Sequence, residues 1–231
     1  HKIYANCLGR AVHQAHTQYS AEHGDAFPRQ AGFLPQRSTL HNMFVLQHLA
    51  HHYDRLQKPL YCVFLDVKAA YDSTQHSKMV ETLLQLQFPE HLARGVAGMY
   101  VGLQYQVLAN GTLAEPFQVG IGVKQGCPLS PILYNLYVQP ISVALGATGL
   151  GPTLPGVEGT QPDFHYADDV ALVAESLPDL QALLDHTVAS LAARDLRLSV
   201  DKCVGLLLGG NDFTGRRHQV TVDGQRLKWS G

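Results

Sequence analysis

The chain contains no run approaching the roughly 18 unbroken apolar residues that a membrane-spanning helix needs, so no span is visible and no membrane partner is expected. Its start, His1, Lys2, Ile3, Tyr4, lacks an initiator Met and the charged-then-apolar layout of a secretory signal. An intracellular fragment of a longer protein is expected. There is no Cys-x-x-Cys spacing: Cys7, Cys62, Cys127 and Cys203 are scattered, which excludes a zinc ribbon and argues against a disulfide framework. Nor is there an excess of one charge. Seventeen Lys and Arg against nineteen Asp and Glu leave a net charge of −2, so the basic footprint of a nucleic-acid binder is absent from the total and would have to be gathered locally. Apolar residues are plentiful at 45% of 231, enough to bury the core of one large domain or two small packed lobes. Disorder is excluded.

Histidine is the other abundant type, with thirteen. His48 and His52 stand four apart on an expected helix, as two zinc ligands would. No Glu completes an HExxH pattern and no third ligand is evident, so they read as a solvated face.

From Ser38 the apolar residues Leu40, Phe44, Leu49, Tyr53 and Leu56 recur near helical spacing, and Lys58-Pro59 is a stop. The run Tyr61 to Leu65 then has the character of a strand buried inside a sheet, and it delivers Asp66 at its end. Ser73 is expected to cap a second helix carrying Met79, Val80, Leu83, Leu84 and Leu86 and ended by Pro89, and a third follows from about Glu90 to Tyr100. Tyr105 to Ala109, Asn110-Gly111 and Thr112 to Val119 form a strand, tight turn and strand, because both turn residues tolerate positive φ. Ser130-Pro131 offers a capping hydroxyl and a first-turn proline to a helix with Leu133, Leu136, Tyr137 and Ile141. Five glycines and three prolines between Gly146 and Pro162 make a loop.

Asp163 to Ala174 reads as a hairpin with Ala167-Asp168-Asp169 at its tip, followed by a capping box, Ser176 with Asp179, for a helix bearing Leu180, Leu183, Leu184, Val188 and Leu191. Val204 to Leu208 is the last apolar strand. Helices segregated from a mostly antiparallel sheet indicate an α+β sandwich rather than a doubly wound fold.

Three carboxylates, Asp66, Asp168 and Asp169, thus fall at a strand end and a hairpin tip that one sheet could bring together. Carboxylate oxygens are the hard donors Mg²⁺ requires, and two ions about 3.5 to 4 Å apart can activate an attacking oxygen and stabilise a leaving one. Isolated aspartates are more often turn or capping residues, so the surrounding motifs decide.

FLDVKAAYDS (64–73), GVKQGCPLSPILYNLY (122–137) and YADD (166–169), in that order and spacing, resemble motifs A, B and C of reverse transcriptases, and QAGFLPQRST (30–39) resembles the upstream element of the non-LTR, LINE-type branch. The resemblance covers essentially the whole chain, from KIYAN (2–6) to DGQRL (223–227). It implies the palm of a right-hand polymerase, with residues 1–60 as partial fingers, 61–231 as palm and the thumb absent. The implied activity is RNA-directed DNA polymerisation on an RNA or DNA template with a primer, from deoxynucleoside triphosphates, with two Mg²⁺ or Mn²⁺ ions. A LINE-type element of a eukaryote would place it in the nucleus. The rest of a parent polyprotein, thumb and endonuclease included, would be missing.

By position the resemblance makes Asp66 a ligand of both ions, assisted by the carbonyl of Val67. Asp168 becomes the second bridging ligand, and Asp169 a further acidic contact. Tyr71 matches the aromatic gate whose ring clashes with a ribose 2′-hydroxyl. Ala69 and Ala70 would turn backbone N–H groups toward the triphosphate, and Gln125 and Gly126 match the motif B pair at the nucleotide and template. Lys202 falls where motif D carries a lysine proposed to protonate departing pyrophosphate. Arg37 and Lys2 are fingers-side cations.

Some positions depart from the pattern: Asp195-Leu196, Ser199 and Lys202-Cys203 replace the usual motif D residues, and Gln36 stands where a glycine is usual. A noncatalytic remnant able to hold nucleic acid, and a group II intron type relative, are the alternatives.

Overall fold

The structure is a computed structural model that describes residues 2–25, 27, 29–209 and 219–230. Among the described residues six helices and eleven strands follow one another as α1 (Lys2–His23), α2 (Thr39–Arg55), β1 (Leu60–Asp66), α3 (His76–Gln85), α4 (Glu90–Tyr100), β2 (Gln104–Tyr105), β3 (Leu108–Ala109), β4 (Thr112–Leu113), β5 (Phe117–Gln118), α5 (Ser130–Ala147), β6 (Asp163–Tyr166), β7 (Asp169–Ala174), α6 (Leu177–Ala192), a 3₁₀ turn (Val200–Lys202), β8 (Val204–Gly209), β9 (Thr221–Val222), β10 (Gln225–Arg226) and β11 (Lys228–Ser230). They form two compact units, both discontinuous in sequence: His1–Ala26 with Ala69–Tyr137, and Phe27–Lys68 with Val138–Gly231.

The second unit is built on a five-stranded sheet in the order β11-β8-β1-β7-β6. Every neighbour pair is antiparallel except β11 with β8. The apolar run of β1 explains its central place: flanked by β7 and β8, it is buried on both faces, and only Phe64 and Asp66 reach the surface. Alternation sends Leu60 and Cys62 into a cluster with Leu49 and Tyr53 of α2 and with Phe164, Ala171 and Val173 of β6 and β7. Tyr61, Val63 and Leu65, of the other parity, are buried as well. Helix α6 lies against β7 and β1 and contributes buried Leu180, Leu183, Leu184 and Leu191. Its start is as expected, with the Ser176 hydroxyl accepting from the Asp179 N–H. Gly205 of β8 is glycine for a steric reason: a Cβ there would stand 2.7 Å from the ring of Trp229, which meets Tyr61 edge-on.

The first unit packs α1 and α3 on α4. Ala5, Leu8 and Val12 of α1, Met79 and Leu83 of α3, and Ala93, Val96 and Met99 of α4 are buried. The expected hairpin is present, with Asn110 and Gly111 both at positive φ, but its ladder is interrupted: β3 pairs with β4 at the turn and β2 with β5 further out.

Three caps and boundaries need correction. Ser73 does not cap α3; its N–H bonds the Ala69 carbonyl inside a turn, and Gln75 precedes the helix instead. Pro89 opens α4 rather than ending α3. Ser130 is itself the first residue of α5, and its hydroxyl donates to the Lys124 carbonyl at 2.7 Å rather than capping. Helix α1 and strands β9 to β11 had no counterpart in the sequence reading.

Gly205→Ala should displace the Trp229 ring and with it β11. The expected loss is ~1–3 kcal/mol, the usual cost of overfilling a packed contact, and a red-shifted emission from Trp229, the one tryptophan of the chain. Unchanged stability and emission would show that β11 is not seated on Gly205.

Candidate active site

The acidic cluster belongs wholly to the second unit. Asp66 ends β1, Asp169 begins β7, and the two are direct register partners across the antiparallel pair. Facing residues in such a pair have Cα atoms about 4.5–5.5 Å apart. Asp168 sits on the two-residue turn that joins β6 to β7, beside Ala167, whose φ is +57°. Strand pairing thus brings Asp66 to the Asp168-Asp169 pair, 102 residues away in sequence, at one end of the sheet.

The segment after α6 adds a cation. The Lys68 N–H donates to the Arg197 carbonyl at 2.8 Å and the Ser199 N–H to the Asp66 carbonyl at 2.8 Å, which lays residues 197–199 along 66–68. The 3₁₀ turn that follows brings the Lys202 ammonium to 3.3 Å from Asp66 Oδ2 and 3.5 Å from Oδ1. Because the two ladder bonds flank Val67, its carbonyl is not one of their acceptors.

Asp169 has a pKa raised above the ordinary carboxylate value. Partial desolvation at the strand end is the first cause, and the charges of Asp168 and Asp66 add to it. The residue as a whole is exposed, so the effect is modest. The Cys203 thiol is also raised, by burial first; an Asp66 backbone hydrogen bond opposes this and the Asp66 charge adds to it.

Arg37 directs Nη1 to the carbonyls of Phe27 and, at 2.9 Å, Gln30. It therefore braces the 27–37 segment. His48 Nδ1 lies 3.0 Å from the Phe44 carbonyl, and its ring lies against that of Phe44.

The remaining sequence candidates lie in the first unit. Lys2 is exposed on the first turn of α1. Ala69 is exposed with φ +45°, Ala70 is buried, and Ala70 O accepts from the Thr74 hydroxyl. The half-buried Tyr71 ring stacks on Tyr134 of α5, centroids 4.7 Å apart and planes 16° from parallel. Its carbonyl accepts from the Val123 N–H at 2.9 Å, and the Gly122 N–H bonds the Thr74 carbonyl, so the motif A turn and the motif B loop are tied by backbone. Gln125 is exposed and donates through Nε2 to Asp72 Oδ1 at 3.3 Å. Gly126 has φ +74° and open space where a Cβ would be.

A family profile described as reverse transcriptase (RNA-dependent DNA polymerase) matches residues 3–227. The chain belongs to the reverse transcriptase family. Among curated relatives, the Transposon TX1 uncharacterized 149 kDa protein of Xenopus laevis is 33% identical over 79% of this chain and 14% of its own length. The Pol polyprotein of the type-2 retrotransposable element R2DM of Drosophila melanogaster is 34% identical over 76% of this chain and 16% of its own length. The RNA-directed DNA polymerase from mobile element jockey of Drosophila funebris is 26% identical over 87% and 22%. The chain thus spans about one seventh of the length of the first two.

Its relatives place this reverse transcriptase domain among non-LTR, LINE-type retrotransposons. A telomerase structure from Candida tropicalis superposes with a TM-score of 0.66 at 12% identity, over 96% of this chain and 36% of that one. A Candida albicans telomerase gives 0.62 at 13%, over 87% and 34%. These likenesses bear on fold, and the fold is an α+β polymerase palm. No helix among the described residues is long and apolar enough to cross a membrane.

The donors suit a hard divalent cation in type and in backbone placement: three carboxylates and the Val67 carbonyl on one sheet edge. Among the described residues no three His, Cys, Asp or Glu form a ready-made metal cluster, and the Lys202 ammonium lies beside Asp66.

Sequence reasoning assigned no role to Gln30, Gly32, Asn42 or the Arg29–Asp163–His165 group, all around the YADD hairpin. Asp163, fully buried, pairs with Arg29 Nε at 2.6 Å and His165 Nε2 at 2.7 Å. A buried polar side chain needs a partner, and the polar residues preceding Gly32 and Tyr166 were the available signal.

Since the ionised form of Asp169 is disfavoured in the fold, its cost is present at neutral pH and fades as pH falls through the raised pKa toward 3.8. The metal-free Asp169→Asn variant should therefore exceed the parent in stability at pH 7 by a few tenths of a kcal/mol, the scale of exposed charge interactions. The gain should shrink below about pH 4. Thermal melts at the two pH values check this; a gain equal at both would remove charge as the cause.

Proposed function

We propose that this chain is the polymerising centre of an RNA-directed DNA polymerase, with residues 61–231 as its palm and 1–60 as part of its fingers. The observation that carries the reading is the register of β1 against β7, which sets Asp66 opposite Asp169 beside Asp168 while the Lys202 ammonium contacts Asp66.

Asp66, Asp168 and Asp169, with the Val67 carbonyl, would hold two Mg²⁺ or Mn²⁺ ions. When bound, such ions supply Lewis-acid stabilisation to attacking and leaving oxygens. In the reaction the primer 3′-hydroxyl gives up its proton to solvent water, its oxygen forms a bond to the α-phosphorus of a deoxynucleoside triphosphate, the bond from that phosphorus to the bridging oxygen breaks, and pyrophosphate leaves. Lys202 Nζ donates a proton to the departing pyrophosphate. Ala69 and Ala70 present backbone amides to the triphosphate, and Gln125 and Gly126 meet the nucleotide and the template strand. The Tyr71 ring excludes a 2′-hydroxyl, and its stack on Tyr134 supports this, because a gate must be rigid to discriminate a single polar group. Arg37 and Lys2 add positive charge on the fingers side. The partners are an RNA or DNA template with its primer, and a eukaryotic LINE-type element would use the activity in the nucleus.

Primer extension on an RNA template by the purified chain tests the reading. Asp66→Ala and Asp168→Asn should each lower extension by more than about a hundredfold, the scale of a lost electrostatic stabiliser at the reacting centre, with little change in melting temperature. Activity surviving in Asp168→Asn would mean that another polymerase is being measured. In the same assay Tyr71→Ala should raise ribonucleotide relative to deoxyribonucleotide incorporation. Unchanged sugar selectivity at parental activity would make Tyr71 a packing residue.

A further inference from the structure

We propose that Gln30, seated by Gly32, is a positioning residue for the Asp168 carboxylate. This rests on the catalytic reading of Asp168 given above.

The turn that carries Asp168 has reason to be unstable. Two residues connect β6 to β7, and the first, Ala167, occupies left-handed backbone at φ +57° without being glycine. Strand β6 is also the edge of the sheet, so only β7 pairs with it inside the sheet. Left alone, such a turn would sample other conformations and carry the Asp168 side chain with it.

Gln30 holds the turn at two points and its own segment at a third. Its Oε1 accepts from the Ala167 N–H at 2.9 Å and from the Gly32 N–H at 2.7 Å, while its Nε2 approaches the Ala167 carbonyl at 3.4 Å. The side chain is buried, at 5% exposure. One amide thus grips both backbone polar groups of the strained residue, which a hydrocarbon of similar size could not do.

Gly32 permits the approach. A Cβ there would stand 2.4 Å from Ala167 N and 3.0 Å from the Tyr166 carbonyl carbon, backbone atoms that cannot move aside without shifting the turn. The same segment runs beside β6 like a further strand: the Ala31 N–H donates to the His165 carbonyl and the His165 N–H to the Arg29 carbonyl, each at 2.9 Å, and Asn42 Nδ2 adds a bond to the His165 carbonyl at 2.8 Å. Gln30 therefore works from an anchored base, and its amide is aimed at one residue before Asp168.

The test uses the 231-residue chain. Gln30→Met keeps the volume and removes every bond; Gln30→Glu keeps an oxygen that can accept from both amides; Gly32→Ala presses on Ala167 N. Amide hydrogen exchange is followed at Ala167 and Asp168, with Val173 and Leu183 as controls, beside single-nucleotide addition. Gln30→Met and Gly32→Ala should speed exchange at Ala167 at least about tenfold with the controls unchanged. Both should lower kcat by roughly ten- to a hundredfold, the scale of a misplaced reacting group, with the KM for the deoxynucleoside triphosphate within about threefold, since Gln30 does not touch it. Gln30→Glu should retain most of the protection at Ala167.

Unchanged exchange at Ala167 overturns the proposal. So does a uniform rise that includes the controls, which would make Gln30 an ordinary core residue, and so does parental kcat despite fast local exchange. Absence of extension by the parent chain, or its survival in Asp168→Asn, would instead count against the catalytic reading itself, a failure that the exchange data separate from that of the clasp.

Discussion

Two carboxylates held face to face on neighbouring strands repel each other, and the second unit of this protein is organised around holding them there. Nothing in Asp66 or Asp169 favours the pairing, since like charges directly opposite in a sheet are destabilising. The cost is met by what lies behind them. Strand β1 is buried between β7 and β8 with α2 residues packed on it, and a register slip of one residue would turn Leu60, Cys62 and their partners out of the cluster they share with Leu49 and Tyr53. The apolar pattern thus fixes the register, and the register fixes the charges. Lys202 relieves part of the repulsion at Asp66, while the Asp169 pKa is raised first by burial at the strand end and then by the charges of Asp168 and Asp66.

The same logic explains why the acidic edge could be read from the sequence while its support could not. The run YCVFL followed by Asp, and two apolar arms around Ala-Asp-Asp, are local patterns, and β1 and the β6–β7 hairpin follow them closely. The motifs around them resemble those of reverse transcriptases, which implies a common role for the three aspartates.

What stayed hidden was of two kinds. Helix α1 buries a thin stripe, Ala5, Leu8 and Val12, amid histidines and glycine, so its periodicity is faint. Strands β9 and β10 are two residues each, so the hairpin signal of their Asp223-Gly224 turn, with both φ positive, has arms too short to show an alternating pattern. Gln30, Asn42 and the Asp163 ion pair, by contrast, act across more than a hundred residues of sequence, and only the fold could introduce them to the hairpin. Ser73 and Ser130 failed as caps for a related reason. Each lies where the motif A turn or the motif B loop claims its polar groups for backbone contacts that local propensity does not register.

In the function proposed above, divalent cations bind where Asp66, Asp168 and Asp169 meet at the strand ends. Titrating the chain with substoichiometric Mn²⁺ and following paramagnetic broadening of assigned amide resonances tests it most directly. The account predicts that Val67, Ala167, Asp168 and Asp169 broaden first, and that Asp66→Ala removes the effect at those positions. Broadening that falls on other surface carboxylates such as Glu81, Glu90 or Asp185 and spares the hairpin tip, or that persists there in Asp66→Ala, would contradict it.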